Sequence, residues 1–283
     1  MLWLFFLLAV IGLLIGSYTD FKTREVPDWF NYSLIFMGVF FHAIYSAVVL
    51  SWMPLLYSLF GLVIGLGIAF AMYYLGQWGG GDAKMMMALG AIIGIEFSLN
   101  TFFVSFIVNV LFLGVFYGLF YGIVLAFRNR KGFISEFSRI YHEKKNVFFR
   151  RILLAFGIAL VLIGLFLPLL LKIYLIALVL IIFASYFLFI FAKSVEKCCM
   201  LKNVNPSKLT EGDWIAKDVV VRGRRVCGPK DLGVSLEQIE KLRKLHIHKV
   251  LIKEGIPFVP SFLLAFVFTY FFGNVLFLMM GFG

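Results

Sequence analysis

Two carboxylates stand where a largely apolar chain should least tolerate them. Asp20 follows a first apolar run in "GSYTDFKTREVPDWFN", and Asp82 follows three glycines in "LGQWGGGDAKMMMALGAIIG", residues 75–94. Charge at the edge of a membrane segment is expensive to desolvate, so each group must be paired, hydrated or used. Two carboxylates at one depth in a partly dry site repel as anions and share a proton near neutral pH. One then serves as general base on a water while the other, as a neutral acid, polarises a peptide carbonyl. Gly79, Gly80 and Gly81 lack side chains, so an extended peptide can approach the backbone beside Asp82. A helix beginning at Asp82 would stabilise its anion.

The same residues admit structural readings. Asp82 could cap the fourth helix, and Asp20 could pair with Lys22 or Arg24 at the interface. Asp28, in "VPDWF", is expected to be a helix N-cap. Lys84 either acts on Asp82 or on substrate, or snorkels to lipid headgroups. Three consecutive residues cannot share one helix face, so Met85, Met86 and Met87 are expected to pack ordinarily.

The elements that must position this pair are membrane helices. Of 283 residues, 62% are hydrophobic and 14% charged, and 35 are Phe, far from the make-up of a soluble domain. Apolar runs long enough to cross a bilayer fall at about 2–18, 29–51, 55–76, 102–127, 152–171, 173–192 and 258–280. A shorter run at 83–97 is counted as an eighth because it continues from the glycines. The expected fold is a polytopic α-helical membrane protein of about eight transmembrane helices with a small α+β cytoplasmic domain. The first run lacks the basic flank of a signal peptide and is expected to be a permanent helix.

The expected organisation is a transmembrane core of about five helices over 1–127 and a basic cytoplasmic connector over 128–151. A helix pair over 152–193, the α+β domain over 194–256 and a last helix over 257–283 follow. The connector reads either as an amphipathic helix on the inner surface or as a solvated loop. In the domain, "WIAKDVVVRGRRV" reads as two strands about a turn at Arg222–Gly223. "GVSLEQIEKLRKLHI" reads as a helix in which Ser235 and Gln238 have capping-box spacing, and "HKVLIKEG" as a last strand. About 60 residues make a marginal core, so this domain is expected to lean on the membrane body or the bilayer surface. His246 and His248 are expected at the surface.

The net charge of +11 does not point to nucleic acid, because 25 of the 26 Lys and Arg fall on one side if the spans alternate as assigned. That side is expected to be cytoplasmic, with both termini outside, a multi-pass protein in the cell membrane whose active site faces the cytoplasm. Asp20 and Asp82 then share one depth, and Glu96 lies at the opposite face. Cys198, Cys199 and Cys227 form no C-x-x-C and are expected to be reduced thiols without a metal.

At this point the residues resemble a family. "GGGDAKMMMALGAIIG" resembles the G-x-G-D-x-K…A-x-G-x-x-x-G signature of the prepilin peptidases, aspartic proteases that also process archaeal preflagellins. "DFKTREVPDWFN" resembles their first-aspartate motif, D-x-x-x-R-x-[IV]-P-[DN]. "KVLIKEGIPFVPSFLLAF" is similar to the G-I-P-F-x-P segment that opens the last helix of archaeal members, and 209–256 to their small cytoplasmic domain. The resemblance implies Asp20 and Asp82 as the catalytic pair, with Gly79 and Gly81 as the flexible approach; with Lys84 these are the candidate substrate-binding residues. It implies cleavage of basic leaders from membrane-anchored pilin or archaellin precursors at the cytoplasmic side, in contact with the lipid bilayer and with no metal or organic cofactor. Bacterial members often carry a paired-Cys methyltransferase region; nothing here matches it, so no N-methylation is expected. Archaeal members have about six helices, so the 152–192 pair reads as an insertion or as the elaboration of another subgroup.

A channel or transporter using the aspartates to bind a cation is the alternative from another class. A transport site belongs near the bilayer midplane, whereas both aspartates map to one interface.

Overall fold

The structure, a computed structural model, describes residues 2–96, 101–221, 223–231 and 233–281. Its helices run in the order α1 (Leu2–Thr23), α2 (Asp28–Val48), α3 (Met53–Tyr74), α4 (Gly80–Ile93), α5 (Phe102–Arg128), α6 (Arg130–Tyr141), α7 (Lys144–Gly164) and α8 (Leu169–Val195). Then come β1 (Leu201–Val204), β2 (Trp214–Ile215), β3 (Val219–Val221), β4 (Arg224–Cys227), α9 (Leu236–Lys244), β5 (Val250–Lys253), α10 (Val259–Phe272) and α11 (Val275–Met279). Among the described residues, six helices, α1, α2, α3, α5, α7 and α8, are long and apolar enough to cross a membrane. The chain is a polytopic helical membrane protein with a small sheet-containing region.

Three of the expected spans take another form; that at 152–171 is shifted, since α7 runs from Lys144 to Gly164 and Leu169 already opens α8. The run at 83–97 is helix α4, whose 14 residues rise only about 21 Å, short of the hydrocarbon thickness of about 30 Å. Residue 97 lies outside the described residues. A short helix is tolerated because α4 is surrounded by protein: Met85, Met86, Ala88, Leu89 and Ile92 are buried, and α1, α2 and α3 pack against it. The contact with α3 is backbone to backbone, since a Cβ on Gly61 would lie 2.2 Å from the Gly90 carbonyl oxygen. The run at 258–280 is two helices, α10 and α11, broken at Gly273 and Asn274. Asn109 of α5 meets the exposed backbone there. Its Nδ2 donates to Gly273 O at 2.7 Å, and its Oδ1 accepts the Val275 N–H at 3.0 Å.

The chain forms two compact units, one of residues 1–121, 204–250 and 254–283, the other of 122–203 with 251–253. In the first, Leu13, Met85, Met86, Phe103, Phe106, Val259, Phe262 and Phe266 form the core. In the second, α7 packs on α8, and a small cluster of Ile140, Tyr186 and Ile190 joins α6 to α8. The basic run expected to close the connector is helical: Lys144, Lys145, Arg150 and Arg151 are the opening turns of α7. The chain turns back on α6 because Asn146 Nδ2 donates to Ile140 O at 2.7 Å and the Arg150 guanidinium lies 3.9 Å from the Tyr141 ring centroid.

The sheet region follows its sequence closely. β3 and β4 pair antiparallel about a turn whose Gly223 has φ +77°; Arg222 lies outside the described residues. Helix α9 opens on the expected capping box, with Ser235 Oγ accepting from Gln238 N and Gln238 Oε1 from Ser235 N. Ile239 and Leu242 are its buried face, whereas Leu236 is 59% exposed. His246 and His248 are at the surface.

Candidate active site

Asp20 sits in the last turn of α1, only 5% exposed. Its Oδ2 accepts the N–H of Val259 at 2.9 Å. Val259 opens α10, where an N–H has no partner inside the helix, and Pro260 after it has no N–H at all. The carboxylate of Asp20 therefore meets the positive end of α10. Asp82 occupies the third position of α4, and its Oδ2 accepts the N–H of Gly79, the N-cap residue, at 3.0 Å. The two carboxylates, 62 residues apart in sequence, lie within range of each other's charge. Each is anchored by a helix start, Asp20 by the first amides of α10 and Asp82 by the cap of its own helix.

Aromatic packing brings these helix starts together. Trp78, 2% exposed, stands just before the glycines, with its ring 6.0 Å from that of Phe258 and 5.1 Å from that of Phe262. Phe258 in turn points its ring tip at α5, where a Cβ on Gly114 would meet it at 2.7 Å. One turn before Asp20, Gly16 gives room to Met85 of α4, whose methyl would lie 2.5 Å from a Cβ there. The segment 24–27 closes over the start of α4, for a Cβ on Gly81 would stand 3.0 Å from the backbone nitrogen of Val26.

The sequence-derived site residues divide accordingly. Asp20 and Asp82 come together. Gly79 is the cap of α4, and Gly81 is the point of close approach to Val26. Lys84 Nζ bonds Asp28 Oδ1 and lies 5.6 Å from the Tyr32 ring centroid, tying α4 to α2. Asp28 is not the N-cap expected of it. Pro27 holds that position, and Asp28 is the first residue of α2, used as the partner of Lys84. Lys22 lies over the Tyr18 ring, 5.7 Å from its centroid.

Of the neighbours, the sequence offered Arg24 as a partner for Asp20, whereas Asn31, Tyr117 and Tyr121 were not singled out. Arg24 ends α1 with φ +63°, a conformation that costs a side-chain-bearing residue about 1–2 kcal/mol. Its N–H donates to Asp20 O at 2.9 Å, and its Nη2 donates to Tyr121 Oη at 2.7 Å. Asn31, fully buried, donates from Nδ2 to Gly81 O at 3.4 Å. Tyr117, one turn before Tyr121 on α5, has its phenol in electrostatic range of Asp20, Asp82 and Arg24. Polar tips spaced i, i+4 on an otherwise apolar span were the available signal. The sheet region also reaches these loops: Thr210 Oγ1 donates to Glu25 Oε1 at 2.7 Å, and the Trp214 ring closes on Gly76.

Residues 7–127 match the type IV leader peptidase family model. Over 88 residues, 31% of the chain, the sequence is 35% identical to the preflagellin peptidase of Methanocaldococcus jannaschii, covering 37% of that protein. Over 136 residues, 44% of the chain, it is 34% identical to the preflagellin peptidase of Methanococcus maripaludis, covering 58% of it. The chain thus spans between about a third and three-fifths of the length of these relatives. The matched family region contains both aspartates and all three glycines, while the Gly255–Pro260 stretch, whose Val259 holds Asp20, lies beyond it. The resemblance to the prepilin and preflagellin peptidases is shown over the region that carries the aspartate pair.

Proposed function

We propose that this protein is a membrane-embedded aspartic endopeptidase that removes basic leader peptides from archaellin-like or type IV pilin-like precursors, with Asp20 and Asp82 as its catalytic pair. The observation that carries the reading is the packing of the two carboxylate-bearing helix ends on one another: Met85, three residues after Asp82, fills the space at Gly16, four before Asp20, and Trp78 packs on Phe258 beside the amide that holds Asp20. Two carboxylates so placed share a proton. The anionic one takes a proton from water as its oxygen attacks the scissile carbonyl carbon, and the protonated one donates to the carbonyl oxygen. The same groups then return a proton to the departing amide nitrogen. Gly79 and Gly81 leave the backbone beside Asp82 free of side chains, which suits an extended substrate. Lys84 serves this site indirectly, by holding α4 against α2 through Asp28.

The orientation follows from charge: the ends that carry Asp20 and Asp82 are those flanked by Lys and Arg, so cleavage takes place at the cytoplasmic face. The test is cleavage of a panel of archaellin and pilin precursors in membranes by wild type, Asp20→Asn and Asp82→Asn. Asn keeps shape and hydrogen bonding but neither base nor acid. The expected result is cleavage by wild type alone, with all three proteins equally folded. Full cleavage by either variant overturns the assignment and makes cation transport the activity to assay.

A further inference from the structure

Among the described residues, the buried side-chain polar atoms without a hydrogen-bond partner are Ser17 Oγ, Arg24 Nη1, Asn31 Oδ1 and Tyr117 Oη. A buried donor or acceptor left unmet costs roughly 1–3 kcal/mol, so such atoms persist where something else meets them. All four belong to one neighbourhood. Ser17 stands one turn before Asp20 on α1; Arg24 donates its N–H to Asp20 O; Asn31 donates to Gly81 O beside Asp82; and Tyr117 is in range of both carboxylates. Among the described residues, the unmet buried side-chain hydrogen bonding is concentrated around the aspartate pair. Ser17 and Asn31 are more than nine-tenths buried, so the lining is built and not incidental surface.

The set is complementary to a peptide backbone. Asn31 Oδ1 is an acceptor for an N–H, while Arg24 Nη1 and Tyr117 Oη are donors for a carbonyl oxygen. Of the two donors, Arg24 has its guanidinium fixed through Nη2 on Tyr121, and Tyr117 has both carboxylates within range. Its position is set by α5. Gly114, Tyr117 and Tyr121 share one helix face at i, i+3 and i+7, and Phe258 pressed on Gly114 holds that face beside the start of α10, where Asp20 is anchored. The Tyr117 and Tyr121 rings lie 6.1 Å apart, which keeps the phenol of Tyr117 beside the Arg24–Tyr121 pair.

We propose that Tyr117 is a further catalytic residue of this site, its O–H donating a hydrogen bond to the carbonyl oxygen of the scissile peptide and to the oxyanion formed when water attacks. The inference rests on the peptidase reading above. In the step, the water oxygen forms a bond to the carbonyl carbon and gives its proton to one aspartate; the carbonyl electron pair moves onto oxygen, which Tyr117 and the protonated aspartate stabilise. The C–N bond then breaks, the nitrogen takes a proton from an aspartate, and Tyr117 keeps its own throughout.

The experiment compares wild type, Tyr117→Phe and Asp82→Asn on a purified membrane-anchored precursor with a Lys-rich leader, reconstituted in liposomes. Removing one oxyanion donor lowers kcat roughly 10²–10³-fold, so Tyr117→Phe should lose that much with KM within about threefold. Binding of the uncleaved precursor in an Asp82→Asn background should be unchanged by adding Tyr117→Phe, since the bond strengthens only in the transition state. Cleavage by Tyr117→Phe within twofold of wild type overturns the assignment, as does a loss of precursor binding that accounts for the whole fall in rate. Should Tyr117→Phe fail to fold, 3-fluorotyrosine at 117 keeps the hydroxyl as a stronger donor; kcat at or above wild type supports the role, and a collapse of activity rejects it. If wild type and Asp82→Asn behave alike, the peptidase reading itself fails and takes this one with it.

Discussion

Adjacent glycines at the start of α4 should respond in opposite ways to the same methyl group. On Gly81 it would stand 3.0 Å from the backbone nitrogen of Val26, whereas around Gly80 nothing lies within 4 Å. Backbone cannot yield as a flexible side chain does, so Gly81→Ala should push the 24–27 segment off α4 and misplace Asp82 relative to Asp20. Misplacement on the scale of an ångström is worth roughly a hundredfold in rate, and we expect Gly81→Ala to lose between about tenfold and a hundredfold in cleavage. Gly80→Ala should retain activity and gain up to about 1 kcal/mol in stability from helix propensity. Equal cleavage rates for the two variants would remove the close approach from the account. At this scale the aspartates and glycines were legible because a charge or a run of bare backbone is anomalous in an apolar chain. What held Asp20 was not: the partner is a main-chain N–H of Val259, 239 positions away, and a backbone donor leaves no mark of residue type. Lys84 and Asp28 were legible as charges but not as a pair, because their 56-residue separation closes only once α2 packs on α4.

Helices here are defined as much by their interruptions as by their length. Apolar runs marked each of the six long helices among the described residues, because about 20 apolar residues leave few alternatives to a crossing helix. The run placed at 152–171 nevertheless missed the charged opening turns of α7 and overran its end at Gly164. The same pattern overextended the run at 258–280, which Gly273 and Asn274 divide into α10 and α11, since composition alone does not reveal where backbone hydrogen bonding stops. Non-helical backbone at membrane depth persists only where its polar groups are met, and Asn109 is the residue that meets them. It donates to Gly273 O and Thr269 Oγ1 and accepts from Val275 N. Asn109→Leu would strand a carbonyl and an amide at once. We expect roughly 1–3 kcal/mol of destabilisation for each, seen as a lower thermal midpoint in detergent. Because α10 begins at the amide that holds Asp20, cleavage should fall at temperatures below the new midpoint as the helix frays. An unchanged midpoint would mean that the break is stabilised by other groups.

At the scale of the whole molecule, charge placement and helix length together predict an orientation that a labelling experiment can read. Helix α7 has 21 residues and spans about 31 Å, enough to cross the hydrocarbon once. Its first turns carry Lys144, Lys145, Arg150 and Arg151, while its far end runs into Leu165–Pro168, where Phe166 is 90% exposed and Lys172 is the nearest cation. This asymmetry was visible in the sequence because it depends on counting, not on contacts. The seating of the sheet region was visible only as an expectation, since the Thr210–Glu25 bond joins residues 185 apart and a 60-residue segment shows its need for support without naming the support. Positive charge is retained on the cytoplasmic side, so the His142–Glu143 turn should be inside and Leu167 outside. In a variant with Cys198, Cys199 and Cys227 replaced by Ser, a single Cys at Leu167 should react with a membrane-impermeant maleimide in intact cells. A single Cys at His142 should react only after the membrane is opened. The reverse pattern would turn α7 over in the bilayer and overturn the cytoplasmic placement of the basic run that opens it.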